Sequence, residues 1–154
     1  MSPFDTVIVA TDFSEAAEDA LSAGLKIVGS DLRRLALLNV VLDPLHQPWM
    51  VETVGMDFEA VQQAWVDAAR EQFRKLLKRR KLEPSNVATH VVVGRPDVEI
   101  VRFARDRGAD LIVVGTHGYG AVKRLLLGSV ADHVVRQAPC PVLVVPQRAE
   151  VEGP

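Results

Sequence analysis

Apolar residues gather along the chain into five short runs: Val7–Ala10, Leu35–Leu42 interrupted by Asn39, Val87–Val93, Leu111–Val114 and Val142–Val145. Within each run they occupy successive positions rather than every second one. A strand needs this when both faces of its sheet are covered, as in a parallel sheet. The segments between the runs have apolar positions three and four apart, the helical spacing. The first opens after Ser14, aligns Ala17, Leu21, Leu25 and Val28, and stops at Gly29. The second, over 57–81, sets Phe58, Val61, Trp65, Ala68, Gln72 and Leu76 on one stripe. The third follows Pro96, a first-turn residue, and buries Val98, Val101 and Ala104 with Ile100 and Phe103 flanking. The fourth starts at Ser129, which stands at capping-box spacing from Asp132, and turns Val130 and Val134 inward. Strand and helix therefore alternate, which predicts a single α/β domain with a five-stranded parallel sheet, doubly wound.

Two stretches fit neither period. Residues 43–55 hold Pro44, Pro48, Trp49, Met50 and Gly55; a connection this long is a functional flap or a disordered link, and the plainer reading is that Trp49 and Met50 tuck against the core. Residues 147–154 are predicted to be a frayed tail. The length of 154 residues suits one domain, and 48% hydrophobic with 25% charged residues excludes disordered and fibrous chains. Eighteen Lys and Arg against twenty Asp and Glu leave a net charge of −2, so no global field draws in nucleic acid or an anionic membrane, and any phosphate binding must be local. The basic cluster Lys75, Lys78, Arg79, Arg80 and Lys81 has two readings, a nucleic-acid patch or cations that offset a helix C-terminus, the commonplace one. A lone Cys140 cannot form an internal disulfide, the start lacks a signal-peptide layout, and no run reaches membrane-spanning length. The expectation is a soluble, cytoplasmic protein.

The candidate chemistry lies in residues 111–130. A buried strand runs into Gly115, Gly118 and Gly120, and Gly128-Ser129 opens a helix. Glycine admits close approach of backbone to a ligand, and a helix N-terminus presents free N–H groups with partial positive charge, so together they describe a phosphate cradle. The P-loop is absent, because Ala121 and Val122 follow Gly120 where Lys and Ser or Thr are required. The dinucleotide fingerprint fails as well, since Lys123 replaces its third glycine and the motif follows the fourth strand rather than the first. What is present is Gly115, two residues, Gly118, nine residues, then Gly128-Ser129.

This spacing resembles the nucleotide motif of the universal stress protein family, of the kind that binds ATP. The likeness extends over residues 1–146: the opening Ile8-Val9-Ala10-Thr11-Asp12-Phe13-Ser14, the strand end Leu38-Asn39-Val40, the turn Gly94-Arg95-Pro96, the strand over 110–115, and the close Ala138-Pro139-Cys140-Pro141 with Val142–Pro146. The resemblance implies a sheet of order 3-2-1-4-5 with helices on both faces. It implies that Asp12 lies beside the nucleotide and a Mg2+ or Mn2+ ion, that Ala10 and Thr11 line the adenine side, and that Val40 offers main-chain contacts to the base. It sets Gly115, Gly118, Gly128 and Ser129 around ribose and phosphates, with Thr116, His117 and Val130 close by, and it implies a homodimer through the last strand, Val142–Val145. Tyr119 stands where the family often has a polar residue.

Each residue also has a plainer role. Asp12 and Ser14 suit a helix cap, Ser129 suits another, and Gly115 and Gly128 suit simple turns. His117 reads as a loop histidine, because no Ser or Cys nucleophile with a matching carboxylate accompanies it. His90 and His133 read as ordinary, no His/Cys/Asp cluster has zinc spacing, and Lys123 and Arg124 either steer anions or lie in solvent. The expected function is an ATP-binding stress-response regulator, a binding module with at most slow hydrolysis. The alternatives are a nucleotide-free dimeric interaction protein of the same fold and an adenine-nucleotide hydrolase, whose Ser-Gly-Gly loop is replaced here by Thr11-Asp12-Phe13-Ser14.

Overall fold

Val7, Ile8 and Val9 are completely buried, and the strand they form, β1 (Val7–Ala10), lies at the centre of a five-stranded parallel sheet. The computed structural model describes residues 2–46, 55, 57–116 and 127–148. β2 (Leu35–Val41), β3 (Ala88–Val93), β4 (Leu111–Gly115) and β5 (Val142–Val145) complete the sheet in the order β3-β2-β1-β4-β5, the order that the resemblance implies. Val7 pairs with Leu35 on one side and Leu111 on the other, and the β1–β2 register closes at Ala10 and Leu38.

Side chains alternate across the sheet and meet helices on both faces. Val7, Val9, Leu35, Leu37 and Val113 pack with α1 (Glu15–Val28) and α2 (Phe58–Arg79). Ile8, Leu38, Ile112 and Val114 pack with α3 (Pro96–Arg107) and α4 (Ser129–Gln137). Ser14 caps α1, its Oγ accepting from the Ala17 N–H at 3.3 Å, and Gly29 closes the helix. Within α1, Gly24 permits close contact with the sheet, because a Cβ there would stand 2.5 Å from Val9 Cγ2.

Three details of the hydrophobic pattern differ from expectation. In α2 the buried residues are Ala69, Phe73, Leu76 and Leu77, while Ala68 and Gln72 are exposed. Phe73 sets that rotation, meeting Phe13 edge-on with ring centroids 5.0 Å apart. In α3, Ile100 is core and Val98 only half-buried, because Ile100 reaches the layer of Ile8 and Leu38. Asn39 does not interrupt β2; it is a buried member of the strand, which ends at Val41 and leaves Leu42 exposed.

Two of the five cations at the end of α2 are structural. Arg79 pairs with Glu18, and Arg80 Nη2 donates to Ser22 Oγ at 2.7 Å, fastening α2 to α1. The helix closes with Lys81 in the left-handed region at φ 55°, while the Leu82 N–H donates to the Leu77 carbonyl at 2.9 Å. In the predicted tail, the Arg148 N–H donates to Asp19 Oδ2 at 2.9 Å, so 147–148 run along α1. The rest of that tail and most of the 43–55 connection, with Trp49 and Met50, lie outside the described residues.

Candidate functional site

β1 and β4 are neighbours whose connections leave for opposite faces, α1 on one and α4 on the other. Two helices diverging from adjacent strand ends cannot fill the space above them, so a doubly wound sheet opens a crevice at this point. Here it is a cleft of about 480 Å³, within the span of small-molecule sites.

One wall is the turn from β1 into α1. The Thr11 N–H donates to the Leu38 carbonyl at 2.8 Å, and Thr11 Oγ1 accepts from the Phe13 N–H at 3.0 Å. Asp12 Oδ1 accepts from the Ser14 N–H at 2.9 Å, which holds an exposed carboxylate at the mouth of the cleft. Phe13 takes φ 65°, a left-handed value that a bulky residue adopts only where its surroundings enforce it. Below this turn the buried Asn39 donates from Nδ2 to the Thr11 carbonyl at 2.9 Å.

The opposite wall is the end of β4 and the start of α4. A Cβ on Gly115 would lie 3.2 Å from the Ala16 carbonyl oxygen, so the missing side chain lets α1 lie against β4. The Thr116 N–H donates to the Val145 carbonyl at 3.1 Å, and the Gly128 N–H donates to the Thr116 carbonyl at 2.7 Å, joining the end of β4 to the start of α4. Ser129 is not the cap of α4: Gly128 holds that position, extended at φ −60° and ψ 157°, and no side chain caps the helix. The reason is geometric, since Ser129 is already helical, which leaves its hydroxyl and the first-turn N–H groups beside the cleft. The carboxylate of Asp132 turns instead to Arg136 Nε, at 3.1 Å.

Ala10, Thr11, Asp12, Val40, Gly115, Thr116, Gly128, Ser129 and Val130 all line this one cleft. His117 and Gly118, with Tyr119, Gly120, Lys123 and Arg124, lie outside the described residues. The structure adds Leu38, Asn39, Pro96 and Ile100; periodicity had assigned these to the core or a turn, and only Asn39, polar inside an apolar run, carried a signal. Together they give the cleft two ends. Ala10, Leu38, Val40, Pro96 and Ile100 make an apolar one, and Gly115, Thr116, Gly128 and Ser129 a polar one rich in peptide groups.

Among the described residues, no group of three or more His, Cys, Asp or Glu could hold a metal ion, and Asp12 is the acidic residue among those described that line the cleft. Burial, reinforced by Asp110, pushes the Cys140 thiol up, away from the thiolate form. His133 Nδ1 lies 3.7 Å from Asp97 Oδ2, linking α4 to α3.

A family model described as the universal stress protein family matches residues 3–146. A universal stress protein of Methanocaldococcus jannaschii, MJ0531, is 31% identical over 147 residues, spanning 92% of this chain and 82% of its own length. A putative universal stress protein of Staphylococcus epidermidis is 31% identical over 151 residues, 94% of this chain and 86% of its own. Among solved structures, that of MJ0577 superposes with a TM-score of 0.77 at 30% identity, covering 95% of this chain and 98% of that one. A universal stress protein in complex with cAMP superposes with a TM-score of 0.59 at 25% identity, covering 94% and 98%.

Proposed function

This chain belongs to the universal stress protein family, and from that premise we propose that it is a nucleotide-binding regulator whose cleft takes ATP, its adenine at the apolar end and its phosphates at the start of α4. The observation that carries the reading is the first turn of α4 beside Gly115 and Thr116, which no side chain caps among the described residues and where free N–H groups and the helix dipole suit an anion. Leu38, Val40, Pro96 and Ile100 suit a flat base at the other end. A related protein held with cAMP supports the same ligand class.

The residues fit a magnesium-bound triphosphate. Mg2+ is commonly held by one or two carboxylates, waters and the substrate's own phosphates, so Asp12 suffices on the protein side. When bound, the ion neutralises phosphate charge. The chain's own part is to seat the base, align peptide donors on the phosphates and orient Asp12 through the Ser14 N–H.

The role is binding rather than turnover, in keeping with a site built from peptide groups. Isothermal titration with magnesium-ATP should give saturable one-to-one binding, and nucleotide released from gently purified protein should have the mass of an adenylate. No binding at millimolar ATP would refute the reading. Phosphate release above roughly one turnover per second, an ordinary enzymatic rate, would contradict the regulatory role.

A further inference from the structure

Successive residues of a parallel strand direct their peptide groups to opposite neighbours. In β2 the Leu38 carbonyl faces β1, accepting from the Thr11 N–H, and the Val41 carbonyl faces β3, accepting from the Gly94 N–H. Val40 shares the parity of Leu38, so its N–H and C=O point towards the line that β1 would follow if it continued. β1 does not continue. The register stops at Ala10 and Leu38, and the next acceptor that could extend the ladder, the Thr11 carbonyl, receives the side-chain amide of Asn39 at 2.9 Å instead. Among the described residues, neither the N–H nor the C=O of Val40 has a hydrogen-bond partner, and Val40 lines the apolar end of the cleft.

We propose that Asn39 is the positioning residue of this site: by taking the Thr11 carbonyl from beneath, it ends the β1–β2 ladder one step early and leaves the Val40 donor and acceptor open to read a base edge. The inference rests on the nucleotide reading and on the base contact that the resemblance gives Val40, and adds to them the residue that keeps those peptide groups open. A neighbouring N–H and C=O complement a ring that presents an acceptor nitrogen beside an amino group, as adenine does. They mismatch hypoxanthine, which presents N–H beside a carbonyl. Asn39 suits the task because it is 8% exposed and lies directly under the turn, and because only its amide nitrogen, not its oxygen, can serve a carbonyl. The same turn carries the left-handed Phe13, so its path is held against local preference.

The experiment compares ATP with ITP, each with magnesium, by isothermal titration on wild type, Asn39→Leu and Asn39→His. Leucine keeps the bulk and removes the donor; a histidine Nδ1–H stands as many bonds from the backbone as the asparagine amide and restores it. Wild type should prefer ATP by about tenfold, the worth of one well-made hydrogen-bond pattern. Asn39→Leu should lose that preference through weaker ATP binding, and Asn39→His should keep it to within about threefold. A general structural defect would weaken both nucleotides equally and leave their ratio unchanged, which would overturn the proposal, as would a leucine variant that keeps both affinity and preference. Asn39→Ala supplies the same comparison if the leucine variant does not fold. Equal wild-type binding of ATP and ITP would defeat this inference alone, whereas wild type that binds neither defeats the nucleotide reading beneath it.

Discussion

Ser129 shows how one residue position separates two kinds of stabilisation. It occupies the first helical position of α4, where a negative charge favours the helix dipole by about 0.3–1 kcal/mol, and it also lines the end of the cleft proposed for phosphates. Ser129→Asp should therefore leave the melting temperature unchanged or raised while lowering ATP affinity at least about tenfold, or about 1.4 kcal/mol. Calorimetry on the same sample checks both. A loss of stability in step with affinity would mean that Ser129 acts in folding alone. Gly115 was legible as a glycine at a strand end, but its close approach to Ala16 was not, since that neighbour lies some hundred residues earlier in the chain. Asn39 was visible only as an interruption, because its partner is the carbonyl of Thr11 across the sheet.

At the scale of elements, helix ends and sheet edges hold the unresolved costs. Lys81 adopts a left-handed conformation at the close of α2, a cost of about 1 kcal/mol that glycine avoids. Lys81→Gly should raise the unfolding free energy by about that amount in urea titrations, with ligand affinity unchanged. On β3, an edge strand, His90 packs against the Phe103 ring at 4.9 Å, and Arg107 Nη2 donates to its Nδ1 at 3.4 Å. Burial first, and Arg107 second, hold His90 below its ordinary value of about 6.5. The unfolded chain then binds the proton more readily than the folded one, so stability is full above about pH 6.5 and falls as acid is added below it. Denaturant unfolding at pH 7 and pH 5 should show a smaller drop for His90→Phe than for wild type. The helical stripes show why sequence reading succeeded for α1 and drifted in α2. α1 is capped at Ser14 and closed at Gly29, whereas the rotation of a 22-residue helix was set by Phe73 meeting Phe13.

For the whole molecule, the sheet leaves β5 as an edge with Leu143 exposed. Unpaired peptide groups along such an edge favour pairing with another strand, which suits the homodimer through Val142–Val145 that the resemblance implies. Wild type should run in multi-angle light scattering at twice the chain mass and Leu143→Lys at the chain mass. A wild-type monomer would remove the dimer from the reading while leaving the cleft intact. No helix among the described residues is long and apolar enough to cross a membrane.

The amino-acid sequence alone determined the alternation of strands and helices, the parallel sheet and the position of the glycine-rich segment, because each follows from periodicity, caps and residue type over a few neighbours. Tertiary structure decided what depends on distant parts of the chain meeting: that Gly128 rather than Ser129 caps α4, that Phe73 orients α2, and that Asn39 reaches the carbonyl of Thr11. A hydrogen-bond partner or a packing neighbour is chosen by spatial proximity, which local sequence pattern does not encode.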